Sequence, residues 1–164
     1  MNDYQLSPSL ESLMAQAKAV CSELQPEGDF YPFDSGSWIY NIGFSEDELV
    51  KHLALVLDPD MPLFVLYAIL NIPELETLKN IDLLVRAIAL ANYGLLPGCF
   101  EMDLETGETR YRSVLIVPSN SVGTKDIAQL ISGALLMAKT YTPTFQKIVL
   151  LGLDPCKAIQ EIEN

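Results

Sequence analysis

The chain has 164 residues, 49% of them hydrophobic and 20% charged. That balance argues against a disordered, solvating polypeptide and suits a single domain spanning residues 1–164, able to bury roughly 70% of its unfolded surface. Ten basic against 22 acidic residues leave a formal charge of −12. A field of that sign repels phosphate, and the scattered cations Lys51, Arg86, Arg110 and Arg112 form no stripe, so nucleic acid is not expected as a partner.

No apolar run reaches the roughly 18 residues of a membrane span. The opening Met1-Asn2-Asp3-Tyr4 lacks a basic stretch followed by an apolar core, so no secretory signal is read and a cytoplasmic location is expected. Cys21, Cys99 and Cys156 are widely spaced and odd in number, with no CxxC, which points to buried, inert thiols.

From Ser7 onward, Leu10, Leu13, Met14, Ala17, Val20 and Leu24 recur at helical steps. Ser7 can cap and Pro8 suits the first turn, so the spacing predicts a helix over 8–24, ended by the polar stretch 25–29. Phe30, Tyr31 and Phe33 flank Pro32 ahead of a turn. Trp38, Tyr40, Ile42 and Phe44 then alternate with Ile39, Asn41 and Gly43 as a strand. Residues 45–57 read two ways. Ser45-Glu46-Asp47-Glu48 has capping-box form before a helical stripe, yet the same residues make a hairpin turn before a strand with Leu49, Lys51, Leu53, Leu55 and Leu57 on one face.

Asp58-Pro59-Asp60 turns the chain, and 63–70 is apolar enough for a strand covered on both faces or lying at an interface. A helix is expected from about Asn71-Ile72-Pro73-Glu74 to Tyr93, with Leu78, Ile81, Leu84, Val85, Ile88 and Ala91 inward and Gly94 as its left-handed stop. Phe100, Met102 and Leu104 go out and Tyr111, Ser113, Leu115 and Val117 return, around the turn Glu105-Thr106-Gly107-Glu108. Asp126 leads a helix through Ile127, Leu130, Ile131, Ala134, Leu135 and Ala138. Thr142-Pro143 restarts a helical segment through Phe145, Ile148, Val149 and Leu151. Gly152 breaks it, and Asp154-Pro155 caps a last short helix with Ala158, Ile159 and Ile162 apolar.

The motifs of the second half carry a resemblance. Asn92, the run Gly98-Cys99-Phe100-Glu101-Met102-Asp103, the turn at 105–108, Arg110-Tyr111-Arg112, Thr140-Tyr141-Thr142-Pro143, and Gly152 with Asp154-Pro155 together resemble the YbjN family, which bears a sensory transduction regulator label. That family is similar in fold to the type III secretion chaperones. The resemblance implies an α+β fold of αβββαββα order, a curved antiparallel sheet with helices packed on one face, a strand over 49–57, and a homodimer. It supplies no catalytic residues.

Catalytic and cofactor chemistry finds little support in the residues themselves. His52 is the single histidine, with no ligand-spaced neighbour. The acidic pairs Asp58 with Asp60 and Asp103 with Glu105 fall in turns, where carboxylates are ordinarily solvated, though such pairs can also hold a cation or move protons. Ser113 and Ser121 lack a nucleophile-elbow setting. Gly107 and the run Ser121-Val122-Gly123-Thr124-Lys125 lack the glycine spacing of a phosphate loop. No enzyme activity, cofactor or metal is therefore expected. The aromatic group Phe30, Tyr31, Phe33, Trp38 and Tyr40 is either ordinary packing or an anchor patch for a peptide or a second subunit. The leading expectation is a homodimeric, chaperone-like module that captures a protein or peptide, and the alternative is a regulatory domain acting on a signalling protein.

Overall fold

The structure, a computed structural model, describes residues 8–33, 36–44, 47–58, 63–73, 80–95, 97–117 and 122–163. Met1 to Tyr4, Ser7, Ser45, Glu46, Pro59, Asp60, Glu74, Leu78 and Ser121, invoked above, lie outside these. The element order is α1 (Pro8–Cys21), β1 (Tyr31–Pro32), β2 (Trp38–Gly43), β3 (Val50–Asp58), β4 (Leu63–Leu70), α2 (Ile81–Asn92), β5 (Gly98–Met102), β6 (Thr109–Ile116), α3 (Thr124–Leu151) and α4 (Pro155–Glu163). The α+β expectation holds, with the two-residue strand β1 added to the anticipated order.

The strands form one antiparallel sheet in the order β1-β2-β3-β4-β6-β5. The sheet is curved and the helices pack on one of its faces. Successive side chains of a strand point to opposite faces. Tyr40 and Ile42 of β2, Leu53, Leu55 and Leu57 of β3, Phe64, Leu66 and Ala68 of β4, and Phe100 and Tyr111 of the β5–β6 hairpin all turn inward. There they join Ala17, Leu84, Ala87, Ile127, Ala138 and Phe145 from the helices in one core cluster. Helix α1 lies against β2, α2 against β5, and α3 across β3, β4 and β6.

From Val50 onward the ambiguous segment is a strand. Leu53, Leu55 and Leu57 are fully buried at two-residue steps between β2 and β4, which a helix could not offer to two neighbours at once. The phase expected at its start is corrected. A bulge between Val50 and His52 shifts the register, so Val50 is buried and Lys51 exposed, where unbroken alternation would turn Lys51 inward. Asp47 serves the β2–β3 connection: its Oδ1 accepts from the N–H groups of Leu49 at 2.8 Å and Val50 at 3.1 Å, while its other oxygen meets Lys139 at 2.5 Å.

Four helix readings also change. Helix α1 stops at Cys21, leaving Leu24 exposed in the following turn. The described part of α2 begins at Ile81, and residues 71–73 before it are not helical. Its inner stripe is Leu84, Ala87, Ile88 and Ala91, while Val85 faces out. The expected restart at Pro143 is absent, since α3 runs unbroken through it to the left-handed Gly152 (φ 67°), and Leu151 is exposed. Gly94 (φ 111°) does take the left-handed form after α2.

Candidate partner-binding surface

The five aromatic residues of the anticipated patch do not share one exposed surface. Tyr40 is fully buried and Phe30 nearly so, their rings edge to face at 5.3 Å, with the Tyr40 hydroxyl donating to the Gln25 carbonyl at 2.8 Å. Both are core, which removes them from an exposed anchor. Their packing leaves no room at Gly28, where a Cβ would stand 2.3 Å from the Tyr40 oxygen. Tyr31 (44% exposed) and Phe33 (54%) reach the surface, and Trp38 is half-buried. Tyr31 sits opposite Ile39 in the β1–β2 ladder, on the face turned away from the helices, and the Asn41 amide donates to its hydroxyl.

Cross-strand register extends that position across the sheet. Tyr31 faces Ile39, Ile39 faces Val56, Val56 faces Val65, and Val65 faces Val114. One line of apolar side chains therefore crosses five strands on the helix-free face. Leu63 opposite Ile116 flanks it on one side, with Ile116 72% exposed. Ala54, Tyr67 and Arg112 flank it on the other. Sequence reasoning missed this line. Alternation within β3 and β4 was readable, but both phases are apolar there, and only the pairing shows which side chains align.

The polar end of the same face is built by the β5–β6 hairpin. Glu101 receives both Arg110 Nε at 3.0 Å and Arg112 Nε. Partial burial pushes the Glu101 carboxyl up, but the two guanidinium groups outweigh it and hold the group below the ordinary carboxylate range. Arg110 also lies over the Tyr67 ring, 4.3 Å from its centroid. The hairpin is clamped to α2 by Asn92, whose side chain accepts from the Phe100 N–H at 2.7 Å and donates to the Phe100 carbonyl at 2.9 Å.

The other singled-out residues have structural employment. Asp103 accepts from the backbone N–H groups of Glu105 and Thr106, the bonds that hold its carboxyl low, and Gly107 takes φ 78° in the same turn. Ser113 is buried and donates to the Pro97 carbonyl at 3.0 Å. Gly123 precedes α3, and the Asp126 carboxylate accepts its N–H at 2.9 Å, occupying the helix start. His52 pairs across the ladder with Gly43 and Ile69. Among the described residues, no group of three or more His, Cys, Asp or Glu could hold a metal. The thiols are not uniformly buried as expected. Cys21 is buried, its thiol pushed up to about 12 by desolvation, whereas Cys99 is half-buried beside Arg112 and Cys156 is exposed. No described helix is long and apolar enough to cross a membrane.

The described residues thus define an α+β sheet-and-helix fold in which the described helices leave one sheet face uncovered. No family model matches it, and no curated relative does. Among solved structures it is similar to one described as "Crystal Structure of the ExsC-ExsE Complex", at 14% identity and a TM-score of 0.48, covering 84% of this chain and 96% of that one.

Proposed function

We propose that this chain is a single-domain, non-catalytic, cytoplasmic protein-binding module of chaperone-like type, and that it works as a homodimer through its helix-free sheet face. The observation that carries the reading is the apolar line Tyr31, Ile39, Val56, Val65 and Val114, in which Ile39 is buried, Val56 and Val65 are half-buried and the two ends are exposed. Apolar surface arranged contiguously on a rigid sheet marks a docking site, and solitary exposed apolar residues do not. Charge selects a second copy as an occupant. Two molecules of −12 repel, yet this face sets Arg110 and Arg112 against Glu101 and Glu108, so it is locally balanced. The YbjN resemblance, carried by its turn and cap motifs, is compatible with the same role.

Light scattering coupled to size exclusion tests the proposal. The wild type is expected at twice the chain mass, and Val65→Lys, which places a charge at the centre of the line, is expected at one chain mass with unchanged circular dichroism. A wild type that stays monomeric at high micromolar concentration sinks the dimer. The regulatory alternative is separated by the state of the captured partner: a chaperone's client is held unfolded, and a regulator's target stays folded.

A further inference from the structure

We infer that the groove between β6 and the first half of α3 binds a small neutral aliphatic molecule carrying an amide or alcohol group. The groove has a volume of about 520 Å3, within the range of small-molecule sites of roughly 300–1,000 Å3. Leu130, Ala134 and Met137 of α3 form one wall, and Tyr111 and Ser113 of β6 form the other. The groove opens beside the end of β6, where Val114, the last residue of the apolar line, also borders it.

Its polar floor is the reason to expect an occupant. Tyr111 is 1% exposed, and its hydroxyl has no hydrogen-bond partner among the described residues. Buried hydroxyls are normally paired, so this one calls for a partner from outside the chain. The ring cannot swing away. Phe100 packs on it at 5.0 Å between centroids, and Gly98 backs it so closely that a Cβ there would lie 2.7 Å from the hydroxyl oxygen. Burial, with a smaller contribution from Cys99, pushes the phenol up, so it remains a donor at neutral pH. Beside it the Ser113 hydroxyl donates its hydrogen bond to the Pro97 carbonyl, which leaves its oxygen as an acceptor.

One donor and one acceptor at the end of an apolar trough fit a group that both accepts and donates, as an amide or alcohol does. A carboxylate offers no donor and brings charge of the same sign as Asp126, which also lines the groove, and as the whole chain. Residue 133, which borders the trough, is glycine. A Cβ there would meet nothing within 4 Å, so no close packing explains a glycine inside a helix, where it is otherwise unfavourable.

Titration calorimetry with octanamide tests the assignment, with octanoate as the charged control. Octanamide should bind the wild type, and Tyr111→Phe, which removes only the hydroxyl, should weaken it about five- to tenfold. Gly133→Leu should abolish binding, because its side chain occupies the trough while favouring the helix. Octanoate should bind at least about tenfold more weakly than octanamide. Val56→Lys, which interrupts the apolar line two strands away from Val114, should bind octanamide as the wild type does, whatever becomes of the dimer. No heat of binding, equal binding to the Gly133→Leu variant, or equal affinity for octanoate each overturns the proposal. So does a capped leucine peptide that binds in the groove where octanamide does not.

Discussion

At Glu101 three side chains share one task. The carboxylate draws Arg110 and Arg112 together from alternate positions of β6, where two like charges on the same face would otherwise repel. Arg110 is thereby held over Tyr67, so the ion pair also orders the apolar face beside it. The sign of the pH effect follows from the lowered Glu101 carboxyl. Its stabilisation is fully present above the unfolded value of about 4.5, and it is lost as pH falls through the lower folded value, because the unfolded chain binds the proton first. Chemical denaturation between pH 6 and pH 3 should therefore show a shallower acid limb for Glu101→Gln than for the wild type. Superimposable limbs would mean the pair contributes nothing.

Among the elements, α3 shows how tertiary packing overrides a local signal. Pro143 has no N–H to give the Lys139 carbonyl, so a break before it is the natural expectation. The helix continues because Ala138, Tyr141, Thr142, Phe145, Ile148 and Val149 all bury along one stripe on either side of the proline. Phe145 and Tyr141 both pack on Phe100, with centroids 5.1 and 5.0 Å away. Thr140 and Thr142 turn their hydroxyls back to the carbonyls of Leu136 and Ala138 at 2.8 and 2.7 Å. Restoring the missing donor with Pro143→Ala should raise stability by about 1–2 kcal/mol in urea denaturation. A loss of stability would show that the proline's own shape is needed in the packing. The bulge in β3 is the sheet's counterpart, since one extra residue turns Val50 into the core and Lys51 out to water.

For the whole molecule, the opposition is between greasy area and charge. The same chain carries a formal −12 and a line of apolar side chains across five strands. Like-charged copies repel through solvent over roughly 8–10 Å at moderate ionic strength, and salt screens that repulsion without weakening apolar contact. Self-association should therefore tighten as sodium chloride rises from 20 to 300 mM in sedimentation equilibrium. Association that weakens with salt would place the contact among charged groups and away from the apolar line.

Local pattern was enough to read the β5–β6 hairpin, the stop at Gly152, the start of α4 and the inward face of α3, because each depends on neighbours within a turn or two of chain. The resemblance was needed to choose a strand for 49–57, where a capping sequence and an alternating sequence compete over the same residues. Three things were decided only in three dimensions. Tyr40 and Phe30 became core and left Tyr31 outside, because β1 pairs with β2. The apolar line arose from register between strands distant in sequence. The unpaired Tyr111 hydroxyl became visible only once α3 had been laid across β6. Periodicity along a chain determines which side of an element is apolar. What that side meets is set by contacts between elements, and no local spacing encodes them.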